Sequence, residues 1–211
     1  MMRYRMAKRR FLPAVLAFVV IGLTAPAAAA YSPSQAAQYA DTWATSRNPN
    51  FKTFTDDCTN FVSQALNAGG FAMVGSGGST TSYTNWFMQN LGFGLWNWSH
   101  TWSVVPDQLN FLYYHSPGGY ARGYVTPQYQ SGLRSGGAVG DVLFYDWGSR
   151  QGVSHSAIQV SYGTDPVSGW TGDLVDTHIT DHFHAFWSLK PYNANLAATT
   201  YITVVNVSTS N

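Results

Sequence analysis

The sequence of 211 residues contains one cysteine, Cys58, within the stretch TDDCTNFVSQAL. A single cysteine cannot form a disulfide within its own chain, so it is either a small buried apolar residue or a reactive thiol. The residues beside Cys58 are polar, DD before it and TN after it, and they do not suit a deep apolar position. This pattern favours a nucleophile.

A helix is predicted to begin near Cys58. Asp56 or Asp57 can cap it, apolar residues follow at helical spacing, and the pair Gly69-Gly70 ends it. The free backbone N–H groups and the dipole at a helix start favour a thiolate. The same N–H groups could hold the oxyanion that forms when a thiolate attacks an amide.

A cysteine nucleophile also needs a base, and the base needs an orienting partner. His155 and His178 lie in consecutive predicted strands, in the stretches SHSAIQV and DTHITDH. Strand alternation places His155 on the face opposite Ile158 and places His178 on the face of Asp176. We expect these strands to lie side by side, with the helix of Cys58 packed against both histidines.

The elements that must position these residues indicate an α+β fold, with N-terminal helices packed on an antiparallel β-sheet. Ser32-Pro33-Ser34-Gln35 has the form of a capping box that begins a first helix, and Asn48-Pro49 ends it. Four runs rich in β-branched and aromatic residues predict strands: GDVLFYDW, SHSAIQVSY, GDLVDTHI and TTYITVVNV.

Between the helices and the strands lies a segment, residues 75–137, that is rich in Gly, Ser and aromatic residues. It contains one predicted short helix, from Pro106 to Tyr114, with proline at its start. The rest of the segment is predicted to form long surface loops, and these carry four tryptophans: Trp86, Trp96, Trp98 and Trp102.

Residues 1–30 have the pattern of a secretory signal peptide: MMRYRMAKRR is basic, an apolar run follows, and AAAA offers a cleavage site after Ala30. The pair Arg9-Arg10 leaves both the general and the twin-arginine export routes open. Residues 31–211 then form one domain with ten Asp, no Glu and six Lys or Arg, a net charge of −4. We therefore expect a secreted monomer, not held in a membrane after cleavage, and no nucleic-acid partner.

Taken in order, DCTNFVSQALNAGG, GDVLFYDW, SHSAIQV and THITD resemble the amidase-domain family of bacterial papain-like cysteine hydrolases, which is similar to the NlpC-like cell-wall peptidases. The resemblance implies a papain-like fold with Cys58 as nucleophile, His155 as general base and acid, and His178 as the residue that orients His155. Asp176, Asp181 and His182 remain alternatives for the orienting role. The resemblance further implies that the protein hydrolyses an amide bond in a peptide or a cell-wall glycopeptide, and that it needs no cofactor.

The same residues are also compatible with two other functions. His178, His182 and His184, with Asp176 and Asp181 nearby, could ligate zinc in a metal-dependent amidase. The four tryptophans of residues 75–137 could instead stack on sugar rings in a glycan-binding module without catalysis, or simply fill the core.

Overall fold

The computed structural model describes residues 30–116, 119–125, 131–148, 152–195 and 199–207. It confirms the α+β prediction: helices lie at the beginning of the chain and antiparallel strands follow. The predicted signal peptide lies outside the described residues, apart from Ala30. Within the described ranges, no helix has the length and apolar character needed to cross a membrane.

Two helices form the layer that carries the cysteine. Helix α1 spans Pro33–Trp43, and the Ser32 hydroxyl accepts a hydrogen bond from the Gln35 amide, as the capping box predicts. Helix α2 spans Cys58–Ala68, and its first nine residues are buried. Because even the polar residues of α2 are enclosed, this helix is central to the domain rather than at its surface.

Six of the described strands form one antiparallel sheet; β1 and β2 form a separate hairpin, which is described below. The six strands are β3 Gly119–Val125, β4 Val142–Asp146, β5 Val153–Thr164, β6 Thr171–Thr177, β7 His182–Phe186 and β8 Tyr201–Val207. Their order across the sheet is β3-β8-β4-β5-β6-β7. Strand β5 is irregular at two places, between Val153 and His155 opposite β4 and between Gln159 and Ser161 opposite β6. The stretch from His155 to Gln159 therefore lies between two changes of register.

The two faces of the sheet carry separate hydrophobic clusters. Ile158 and Val160 pack in one cluster with Cys58 and the other apolar residues of the helices. Ala157 packs in the second cluster, which the segment around Trp187 covers on the other face. The predicted alternation along β5 is confirmed, and the helices cover the face of Ile158.

The prediction of loops across residues 75–137 is wrong in part. A hairpin is present, with β1 at Met88–Gly92 and β2 at Leu95–Trp98, followed by short helices α3 at His100–Ser103 and α4 at Val105–Asn110 and a π-helical turn at Phe111–His115. Trp86 and Trp102 are fully buried, because their rings pack in the helix-side core. For these two tryptophans, the structure favours core filling over sugar stacking.

Candidate functional site

Cys58 is the first residue of α2 and has 2% of its surface exposed. Its Sγ lies 3.7 Å from the Thr59 hydroxyl, and Ser156 of β5 lies against it from the sheet. Burial raises the pKa of the Cys58 thiol, and hydrogen-bonding groups of Ser156 and Thr59 offset part of that rise. The resting group is therefore a protonated thiol surrounded by donors that would stabilise a thiolate.

The carboxylate of Asp57, next to Cys58, collects four polar partners. It accepts hydrogen bonds from the Phe54 amide at 3.0 Å and the Asn60 side chain at 2.8 Å. It also forms ion pairs with Arg47 at 3.1 Å and His178 at 2.8 Å. Asp57 occupies the N-cap position, but its side chain does not bond to a helix N–H, so its predicted capping role is wrong. Because all four partners can donate, both carboxylate oxygens of Asp57 act as acceptors.

His178 has an acceptor at each ring nitrogen. Nδ1 lies 2.8 Å from the Asp57 carboxylate and Nε2 lies 2.9 Å from the Trp43 carbonyl oxygen. A carbonyl can only accept, and an ionised carboxylate can only accept, so both nitrogens of His178 carry protons. The ring stacks on Phe61 with centroids 4.0 Å apart, which favours a cation. His178 is a buried imidazolium that follows β6 and packs against the first turn of α2.

His155 lies on the other face of the sheet. Its Nε2 is 3.0 Å from the Thr177 hydroxyl, and its ring packs beside Tyr145 and Trp147. The Thr177 hydroxyl donates its hydrogen bond to the Ser156 carbonyl at 2.7 Å. Its oxygen can therefore only accept from His155, so Nε2 of His155 carries the proton. The structure therefore does not bring His155 to Cys58, or beside His178, as the strand prediction expected. The reason is that the helices cover the Ile158 face.

A cavity of about 330 Å³ opens beside His155. It is also lined by Ser154, His182 and several aromatic and turn residues. Burial, and secondarily the nearby His182, lower the pKa of His155 to about 4. His155 is therefore a neutral imidazole at physiological pH, with its remaining lone pair on Nδ1.

Neither carboxylate considered as an orienting partner contacts His155. Asp181 forms a two-pronged pair with Arg47, at 2.9 and 3.0 Å. Asp176 is fully buried on the helix side of β6, where it accepts a 2.7 Å hydrogen bond from the His184 amide. Burial, together with the adjacent Asp41, raises the pKa of Asp176 to about 8, although the hydrogen bond from the His184 amide lowers it in part.

The zinc set proposed from sequence is not assembled. His178 pairs with Asp57, the His182 ring packs at a tilt against Tyr192 with centroids 4.1 Å apart, and His184 lies 2.9 Å from Asp41. The three imidazoles point to three different places because β6 ends before His178 and the turn to β7 separates them.

Sequence reasoning missed three participants: Arg47, Asp41 and Thr177. Asp41 lies on α1 and Arg47 follows that helix. No local pattern connects Asp41 with His184, or Arg47 with Asp181, because each pair is more than 100 positions apart. Thr177 could have been found, because alternation along β6 places it opposite to the face of His178.

A family model described as "Putative amidase domain" matches residues 30–202. The chain is also similar to "Uncharacterized protein YhbB" of Bacillus subtilis (strain 168), with 30% identity over 163 residues. That match covers 75% of this chain and 45% of the relative, so the chain spans less than half of the relative's length. No solved structure matches.

Proposed function

The chain belongs to the amidase-domain family, and from this premise we propose that it is a cysteine-dependent amide hydrolase with Cys58 as its nucleophile. The observation that carries the proposal is the position of the one thiol. Cys58 follows directly on Asp57, which pairs with the His178 imidazolium, and it faces the donors of Ser156 and Thr59. A thiolate, an imidazolium and an ionised carboxylate are the groups that acyl transfer by cysteine requires.

The proposed reaction begins when the Cys58 thiol gives its proton to solvent, because both ring nitrogens of His178 already carry protons. Sγ forms a bond to the carbonyl carbon of the substrate, and backbone N–H groups at the start of α2 donate hydrogen bonds to the developing oxyanion. The carbon–nitrogen bond then breaks, and His178 gives a proton to the leaving amine. Water adds to the acyl carbon and returns a proton to His178. The carbon–sulfur bond breaks, which releases the acid and restores the thiolate.

This scheme assigns His178 the acid–base role that the family resemblance gives to His155. The support is that His178 lies in the helix layer with Cys58, whereas His155 lies across the sheet. The proton on Nε2, held at rest by the Trp43 carbonyl, is the one available for transfer. The proton on Nδ1 is retained by Asp57.

A substrate-free experiment tests the assignment. We expect the alkylation rate of native protein by iodoacetamide to rise with pH, with its midpoint above 9.0, because burial raises the thiol pKa. If the proposed scheme is right, His178→Gln should move that midpoint upward, because the scheme makes the imidazolium paired with Asp57 the cation that stabilises the thiolate. His155→Gln is the matched control and should leave the midpoint unchanged.

Each variant is assayed at a temperature where circular dichroism shows it folded, so that exposure by unfolding is not counted as reactivity. A midpoint that shifts in His155→Gln and stays fixed in His178→Gln would restore the family assignment. Release of new amines from purified peptidoglycan or from a peptide mixture provides the activity assay. Full activity in Cys58→Ser would refute cysteine catalysis.

We also propose that the enzyme is secreted and acts on peptide or glycopeptide material outside the cell. Support comes from the signal-peptide pattern of residues 1–30 and from the net charge of −4 over residues 31–211. Fractionation of a producing culture tests this, and retention of the full-length chain in the cytoplasm would contradict it.

A further inference from the structure

We propose that Asp41, Asp176 and His184 form a binding site for one divalent transition-metal ion, of which zinc is the expected occupant. The site is separate from the Asp57–His178 pair and from the cavity beside His155. It differs from the zinc set suggested by sequence, because it uses one of those histidines and adds a carboxylate from α1.

Three elements contribute one ligand each. Asp41 lies on α1, Asp176 on β6 and His184 on β7, and the three donor atoms all lie within 4.8 Å of one another. The His184 Nε2 is 2.9 Å from an Asp41 carboxylate oxygen. Ligands of tetrahedral zinc at about 2.0–2.1 Å lie about 3.3 Å apart, so small movements would admit the ion.

The observation that points to a ligand is an oxygen of Asp176 without a partner. Asp176 is fully buried, and its Oδ1 accepts from the His184 amide. Its Oδ2 is also buried and has no hydrogen-bond partner among the described residues. No Lys or Arg in the described part of the chain forms an ion pair with Asp176. A buried carboxylate left in this state costs several kcal/mol, which a bound cation would offset.

The donor types favour zinc over the alkaline-earth ions. Magnesium and calcium prefer sites made of oxygen ligands, and calcium takes six to eight of them. Zinc instead accepts histidine nitrogen together with aspartate oxygen, so the imidazole of His184 favours it. The side chains of Asp41 and His184 are 43% and 27% exposed. Water can therefore reach the fourth position. The ion would join α1 to β7, the edge strand of the sheet.

Metal binding is measured on the purified full chain after dialysis against EDTA and then into metal-free buffer. Titration calorimetry with zinc chloride should show one equivalent bound, and the melting temperature should rise with zinc. Cobalt(II) in place of zinc should give the visible absorption of a four-coordinate site. Asp176→Asn and His184→Gln should each weaken zinc binding by about a hundredfold or more.

Asp181→Asn is the matched control, because Asp181 lies in the same turn region and pairs with Arg47 instead. It should bind zinc like the parent. The rival arrangement is a proton shared by Asp41 and Asp176, with no metal. Absence of stoichiometric binding by the parent would establish that rival, and so would equal binding by the parent and both ligand variants. Either result would overturn the proposal.

Discussion

Replacement of His155 by glutamine should make the protein less sensitive to acid. The pKa of His155 is lowered from 6.5 to about 4 in the folded protein, chiefly by burial. Between these two values the unfolded chain binds a proton that the folded chain does not bind, so stability falls as pH decreases through this window. At about 1.4 kcal/mol per pKa unit, the full difference is about 3 kcal/mol. Above pH 6.5 the histidine contributes no pH dependence.

Urea denaturation at pH 7 and pH 4 measures this effect as the free energy of unfolding. The parent should lose about 3 kcal/mol more than His155→Gln between the two pH values, because all other groups titrate alike in both proteins. His100→Gln, a change at an exposed histidine, should behave like the parent. A difference below about 1 kcal/mol, or one of opposite sign, would refute the assignment of His155 as a buried neutral imidazole.

Two further substitutions test the fold around the site. Asp57→Asn should lower the free energy of unfolding by about 3–5 kcal/mol in urea denaturation, because it leaves the His178 imidazolium buried without its counter-ion; a loss below 1 kcal/mol would contradict the ion pair. Gly172→Ala should cost about 1–3 kcal/mol, because the new Cβ would lie 2.5 Å from the Phe186 ring. Gly163→Ala, where the nearest atom is 3.3 Å away, is the control, and an equal loss in both would refute the steric argument.

The elements with local signals were predictable. Helix α2 begins at Cys58 and stops before Gly69-Gly70, where the sequence indicates it should. The hairpin β1–β2 was missed because its strands are short and its turn is unusual: Phe93 adopts a φ of 52° beside two glycines, a conformation that sequence gives little reason to assign to phenylalanine.

The site was predictable only in part. Alternation correctly separates His155 from Ile158, but it does not say which face the helices cover. Both faces of β5 are buried, so hydrophobicity alone does not distinguish them. Ile158, which is larger than Ala157, packs with the helices. His155 therefore lies on the opposite face of the sheet, away from Cys58. Partners distant in sequence, such as Arg47 for Asp181, follow only from the tertiary arrangement.

The two irregularities of β5 bound a short stretch whose register is not fixed by the rest of the strand. At each irregularity β5 has one residue more than the strand it pairs with. If the residues between the two irregularities shifted their register by one position, their side chains would exchange faces, while the ends of the strand kept their pairing. His155 would then face the thiol, and Ile158 would leave the helix layer. The packing of Ile158 against the helices thus opposes that change, and it keeps His155 on the face of the sheet away from Cys58.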